Sequence, residues 1–409
     1  MKLKSLLILS LLTAALPAFA GTDAPSDKNA KAVTETKPTE SPYKIYGWIQ
    51  AGATFNSERP ADHINFGHLF TDRSNQLLLN QVALTFEKVL DPKATGFDWG
   101  YKVQGMYGSD SRYIHSLGLL DHTTNSIYQP DLVEAYLNYH FPVITEGGLD
   151  LKIGKFVTLE GAETIDPRTN VFYSHSYIFN YGIPFNHLGA LFTLHTTKVL
   201  DLYGGVTRGV NTSINDNNDA VAFHGGFGLN FNDGALTIVA ATHLGPETPH
   251  LNTGYRYLNC VTTTWKITKE LTSITDLNYT YDKPSNATGY GAAQYFTYAV
   301  NDWLTPGIRA EVFRDASGFY VAQFAGANDF VNTEKGNAVN NVNTYGGGDT
   351  TYLGLTAGAT IKVPVPKPFT GFFLRPEVRY DRSCNGSTPF NGGTDKSQWT
   401  FAIEARLEF

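Results

Sequence analysis

The chain has 409 residues, of which only 17% are charged and 13% aromatic, with 23 Tyr, 26 Phe and 39 Gly. Its 31 Lys and Arg against 38 Asp and Glu leave a formal net charge of −7, which excludes a nucleic-acid binder, since that would need a basic face. Two cysteines, Cys260 and Cys384, are too few for a disulfide scaffold and have no metal-site spacing.

At the start, Lys2 and Lys4 precede an apolar run from Leu6 to Leu16, and Ala18, Phe19 and Ala20 form a small-x-small cleavage site. Residues 1–20 therefore read as a bacterial secretory signal peptide, too short to span a bilayer as a helix, with the mature chain beginning near Gly21. Residues 21–42 are rich in Lys, Thr, Glu and Pro without periodicity and read as a disordered periplasmic leader. No later window holds a long unbroken apolar stretch. A helical membrane protein is excluded, while one built of alternating strands stays open.

From residue 43 onward the chain alternates. Strand-like runs of about ten residues fall at 43–55, 76–88, 97–107, 131–141, 149–158, 186–196, 199–208 and 221–231. Further runs fall at 234–244, 255–267, 271–281, 291–301, 304–314, 351–363, 369–381 and 398–409. The connections alternate in length. Tight hairpins sit at Asn232 to Gly234, at Thr268 to Glu270, near Lys198 and near Pro306. Between them lie long polar segments at 56–75, 108–130, 159–185, 209–220, 245–254, 282–290, 315–350 and 382–397. Short turns on one rim and long loops on the other predict an all-β fold. The expected form is a transmembrane antiparallel barrel of about 16 strands over residues 43–409, with short periplasmic turns and long extracellular loops. Cys260 and Cys384 lie far apart in that strand order, which disfavours a bridge between them.

The side chains divide between two faces. In the last strand Trp399, Phe401, Ile403, Ala405, Leu407 and Phe409 form an apolar wall, backed by Glu404, Arg406 and Glu408. Val133, Ala135, Leu137, Tyr139 and Phe141 are expected to face lipid, with Glu134, Tyr136, Asn138 and His140 facing the lumen. Ile308, Ala310 and Val312 oppose Arg309 and Glu311, and Leu374, Val378 and Tyr380 oppose Arg375, Glu377 and Arg379. Turning such charges to lipid costs about 2–4 kcal/mol each at the midplane, which fixes the parity of these strands. In 43–55 and 149–158 either parity strands a polar or aromatic residue.

Between Leu149 and Ala190 several motifs stand together: Gly154 to Phe156, Gly161 to Glu163, Tyr173 to Tyr177 and Ile183 to Ala190. They resemble the outer-membrane β-barrel porin-2 family of Gram-negative bacteria. The resemblance implies a barrel and a pore, an outer-membrane location, and a terminal Phe409 read by the barrel assembly machinery. It implies no particular solute.

A barrel of this size leaves an aqueous channel unless something narrows it. Segment 159–185 is long for a structureless connection and rich in aromatics, and it resembles in position the constriction loop of sixteen-stranded porins. It brings Glu160, Glu163, Asp166 and Arg168. Glu134, Arg309, Glu311, Arg375, Glu377, Arg379, Glu404 and Arg406 are expected on the wall. Acidic loop against basic wall would set a transverse field that favours small polar solutes. Alternatively Glu160 and Glu163 anchor the loop and the arginines pair with Glu311, Glu377 and Glu404, or the loop folds outward.

The function expected is passive diffusion of small hydrophilic solutes, with a structural or adhesive barrel as the alternative. Outer-membrane lipids and lipopolysaccharide are the expected surroundings, and a homotrimer follows by analogy with general porins. No cofactor, metal or catalytic site is expected. His63, His68, His115 and His122 lack partners at metal spacing and read as surface-loop residues. No Gly-x-Ser-x-Gly elbow accompanies Asp121 and His122 or the serines around His175. Gly226 and Gly228 lack the third glycine of a dinucleotide loop.

Overall fold

A computed structural model describes residues 41–91, 94–121, 127–321 and 348–409. Among the described residues sixteen antiparallel strands close into one ring. They are β1 (Tyr43–Asn56), β2 (Gln76–Lys88), β3 (Asp98–Gly108), β4 (Gln129–Phe141), β5 (Leu149–Val157), β6 (Asn186–His195), β7 (Leu200–Thr207) and β8 (Ala222–Phe231). The ring continues with β9 (Leu236–Pro246), β10 (Tyr255–Lys266), β11 (Leu271–Asp282), β12 (Ala287–Tyr298), β13 (Leu304–Asp315), β14 (Thr350–Val363), β15 (Gly371–Ser383) and β16 (Ser397–Glu408). Each strand pairs with its neighbours in sequence and β16 returns to β1. No strand edge is left open, which hydrocarbon requires because it offers no partner for backbone amides. Among the described residues no helix is long and apolar enough to cross a membrane. The signal peptide, residues 21–40 of the leader, His122 and positions 322–347 of the long segment 315–350 lie outside the described residues.

Closure of the ring rests on the chain end. The Gly47 amide donates to the Phe409 carbonyl at 2.9 Å, and the Phe409 amide returns the bond at 3.0 Å. The Phe409 ring lies against Gly47, where a Cβ would sit 2.7 Å from the ring and 2.3 Å from the Ala83 carbonyl. Only glycine lets the last aromatic lie flat on the seam.

The outer surface is apolar because alternation sends one residue in two to it. Ile45, Leu84, Val103, Leu137, Phe192, Val261, Leu277, Ile308, Leu355 and Ile403 are exposed there. Exposed aromatics gather at both rims. Tyr43, Phe97, Trp99, Trp265, Tyr298 and Trp303 lie at the short-turn end, and Phe55, Tyr107, Phe223, Tyr255, Tyr279, Tyr290 and Trp399 at the long-loop end. Two such girdles mark the headgroup levels of a transmembrane barrel. The strands of unsettled parity also resolve, with Ile45, Ile49 and Phe55 outward in β1 and Ile153 outward in β5. Cys260 and Cys384 are both free thiols.

Two departures from the expected alternation have local causes. The β3–β4 register shifts between Gln104 and Gly105, whose partners are Glu134 and Leu132. Val133 is left unpaired at this bulge, and instead of facing lipid it is 2% exposed within the internal aromatic cluster. A second shift between Gln50 and Ala51 lets the adjacent Asn80 and Gln81 of β2 both turn inward. At the turn expected near Pro306, that proline instead lies within β13 opposite Ala359. The reversal is made by Asn301, whose side chain accepts the amides of Trp303 and Leu304 at 3.1 and 2.9 Å.

Candidate functional site: an anchored loop inside the barrel

After β5 the chain does not leave the barrel. Residues 158–185 fold into the lumen and end in a π-helical turn, Ile178–Gly182. Phe172, Tyr173, Tyr177, Ile178 and Phe179 are each at most 3% exposed. Phe172, Tyr177, Ile178 and Phe179 pack with Phe66, Phe70, Tyr113, Phe313, Tyr352 and Phe390 of the wall and neighbouring loops.

An irregular loop buried this deeply must find partners for its amides and carbonyls. The wall supplies them as ionised side chains. Arg309 donates to the Ser174 carbonyl at 2.8 Å, Arg379 to that of His175 at 2.6 Å, Arg375 to that of Asn170 at 2.5 Å, and Arg406 to that of Pro167 at 2.8 Å. Glu377 accepts the amides of Tyr173 and Ser174 at 2.8 and 3.1 Å, and Glu311 accepts that of Tyr177 at 2.7 Å. On other strands Gln81 donates to the Ile165 carbonyl at 2.9 Å, Asp276 accepts the Ala162 amide at 3.1 Å, and Asn278 donates to the Gly182 carbonyl at 2.9 Å. These contacts run round the ring from β11 through β16 to β2.

The expected layout is therefore corrected. Arg309, Glu311, Arg375, Glu377, Arg379, Glu404 and Arg406 do not form an open wall opposite the loop. They lie beneath it, none more than 7% exposed, because a buried loop backbone needs charged partners more than water does. Arg375 pairs with Glu404, Arg379 with Glu311 at 3.2 Å, and Arg406 with Glu408 at 2.9 Å. This is the anchored arrangement that the sequence held as an alternative.

The loop acids take separate roles. Glu163 accepts from Arg309 at 2.8 Å, Tyr295 at 2.9 Å and the Ser176 amide at 2.8 Å, with His175 at 3.2 Å. Burial opposes its ionisation, but Arg309, His175 and the amide outweigh it and hold the carboxyl down at about 2. Asp166 pairs with Arg168 at 2.6 Å, and that guanidinium lies 4.4 Å from the centre of the Trp48 ring. Glu160 is 3% exposed and its two oxygens have no hydrogen-bond partner among the described residues. Its burial, with Asp276 nearby, pushes its carboxyl well above the usual range.

On the side away from the anchor wall the loop borders a cavity of about 110 Å³. Lys102, Gln104, Glu134, Tyr136, Lys152, Tyr203 and Val239 line it from the wall, and Glu160, Glu163, Ile165, Asp166 and Thr169 from the loop. Acidic loop does face basic wall, but the bases are Lys102 and Lys152 of β3 and β5. Lys102 is paired with Glu134. Sequence reading missed both lysines, because which strands lie across from the loop depends on where it docks.

The histidines also depart from expectation. His63 is exposed, but His68 and His115 are buried in the barrel mouth, because the first two long loops fold inward as well. His68 meets Asp381 at 2.9 Å and His115 meets Asp131 at 3.3 Å. Three others that no sequence spacing connects, His187, His224 and His243, come together on β6, β8 and β9.

One glycine makes room for the loop. A Cβ on Gly52 of β1 would lie 2.5 Å from the ring of Tyr173. That ring cannot swing away, since its hydroxyl donates to Asn80 at 2.8 Å. Gly52→Val is expected to cost about 1–3 kcal/mol by overpacking, read as earlier thermal unfolding of the barrel on semi-native gels.

A closed sixteen-strand barrel with its third long connection folded inside is a porin-type barrel. The chain belongs to the family described as "Putative beta-barrel porin-2, OmpL-like", whose model matches residues 42–409. No curated protein matches the sequence. Among solved structures, the outer membrane channel DcaP of Acinetobacter baumannii is similar with a TM-score of 0.53, at 12% identity, covering 90% of this chain and 97% of that one. The anion-selective porin from Comamonas acidovorans has a TM-score of 0.56 at 8% identity, covering 90% and 99%. Salmonella typhi OmpF in complex with daunomycin has a TM-score of 0.55 at 11% identity, covering 90% and 97%. At these identities the likeness is one of fold.

Proposed function

We propose that the protein is an outer-membrane porin of a Gram-negative bacterium, through which small hydrophilic solutes diffuse passively. The observation that carries this reading is the loop bolted to one side of the lumen, with a cavity left between it and β3, β4, β5, β7 and β9 into which Lys102, Glu134 and Lys152 bring charge. A loop held this way narrows a wide barrel without filling it and selects by size and charge. Cleavage near Gly21 would leave residues 21–42 as a short periplasmic leader before the barrel at 43–409. Phe409 serves as the assembly signal, lipopolysaccharide and lipid surround the barrel, and a homotrimer is its working form.

The second reading is a structural barrel without an open pore. The buried aromatic cluster of Phe66, Phe70, Tyr113, Tyr177, Phe179 and Phe390 favours it, because such packing fills lumen that a wide channel would leave wet. Planar-bilayer recording of the purified protein separates the two. Stable ohmic steps are expected, and silence from folded protein selects the closed barrel. In a salt gradient the reversal potential is expected to show cation preference, given the net charge of −7. Anion preference would instead assign control to Lys102 and Lys152.

A further inference from the structure

His187, His224 and His243 all point inward and are each 0% exposed. One ligand atom of each lies within 4.8 Å of those of the other two. The ring centroids of His187 and His224 are 4.3 Å apart, and those of His187 and His243 are 5.1 Å apart. Tetrahedral zinc, with Zn–N of about 2.0–2.1 Å, needs nitrogens about 3.4 Å from one another. The rings would have to draw together by that difference as the ion binds.

The hydrogen bonds fix the tautomer of each ring. His187 Nδ1 faces the Gly209 carbonyl at 3.1 Å, which only accepts, so Nδ1 carries the proton and Nε2 keeps its lone pair, which accepts from the Thr158 hydroxyl at 3.3 Å. His243 Nε2 faces the Glu247 carboxylate at 2.6 Å, so Nε2 donates and Nδ1 is bare. That Nδ1 has no hydrogen-bond partner among the described residues. His224 Nε2 accepts the Leu159 amide at 3.2 Å, so Nδ1, the nitrogen facing Glu160, carries the proton and would release it on binding an ion. A carbonyl or carboxylate behind an imidazole is the usual support of a metal-bound histidine.

Beside the three rings stands Glu160, whose Oε1 is 3.9 Å from His224 Nδ1. A buried carboxylate with neither oxygen satisfied is costly unless it is protonated or meets a cation. The rings and this carboxylate together make a three-nitrogen, one-oxygen donor set of the kind zinc takes. We propose that His187, His224, His243 and Glu160 bind a divalent transition-metal ion, zinc by the chemistry of the set, clamping the root of the lumen loop to β6, β8 and β9. Glu160 follows Thr158 and Leu159, the first residues after β5, so the ion would fix the point from which the whole loop is suspended.

The test uses the full mature chain in detergent, stripped with a chelator and dialysed against Zn²⁺ alone, with Mg²⁺ as the comparison. One zinc per chain is expected and no magnesium. The double variant His224→Gln with His243→Gln should bind roughly 100-fold more weakly or worse. Glu247→Gln, which alters the support of His243 and can still accept the Val210 amide through its Oε1, should weaken binding by about 10–100-fold. Sub-stoichiometric zinc on the folded wild type overturns the proposal, as does full retention by a folded double variant. Should that variant fail to fold, X-ray absorption on zinc-loaded wild type decides. A shell with three imidazoles is expected, and one with fewer overturns the assignment.

Discussion

Deleting residues 164–180 is expected to raise single-channel conductance severalfold while leaving the barrel intact. The segment carries Phe172, Tyr173, Tyr177 and Phe179, the side chains that occupy the lumen, together with the Asp166–Arg168 pair. The ring itself is closed by strand pairing from β1 through β16, to which these residues contribute no ladder bonds. Four arginines lose carbonyl partners in the deletion, at about 1.5–3 kcal/mol for each charged hydrogen bond. Water entering the vacated lumen offsets much of that cost. Unchanged conductance from a folded deletion protein would mean that the narrowest point lies elsewhere, in the first or second long loop.

The second large effect is expected at the Glu163–Arg309 pair. Arg309 is 1% exposed, and it joins the Glu163 carboxylate, the Ser174 carbonyl and Glu311. Arg309→Met leaves the Glu163 carboxylate and the Ser174 carbonyl without their guanidinium, while Glu311 keeps Arg379, and breaking a buried pair costs about 3–5 kcal/mol. The loop should detach at lower temperature than the barrel unfolds, read by protease cleavage within 159–185. Glu163→Gln separates charge from shape. The native carboxyl is held at about 2, below its ordinary 4.5, so its stabilisation is complete above about pH 5. It declines as pH falls and is gone near the folded value. The penalty of Glu163→Gln should therefore be full at neutral pH and nearly vanish close to pH 2. A penalty equal at both would show that packing, not charge, holds the loop.

Much of this molecule is legible in its sequence. The period-two alternation of Trp399 to Phe409 or of Ile308 to Val312 follows from strand geometry and from the cost of charge in lipid. So do the strand count and the sorting of short turns from long loops. The length and aromatic content of segment 159–185 made an inward fold the leading expectation, with an outward fold left open. Val133 was misplaced because a bulge inserts one residue without any compositional mark. Pro306 was misread as a turn marker when Asn301 makes the turn.

What the sequence by itself determined is a barrel: which residues face lipid, which face inward, and that a long loop is available to narrow the passage. Those features are local, set by side-chain period and by the price of an unpaired amide in hydrocarbon. Only the tertiary structure decided which wall the loop is bolted to. It turned Arg309, Arg375, Arg379 and Arg406 from pore lining into anchors, left Lys102 and Lys152 across from the loop, and gathered His187, His224 and His243 beside Glu160. Contacts across the ring join residues as far apart in sequence as Pro167 and Arg406, and nothing in their spacing along the chain records which strands will face each other once the ring has closed.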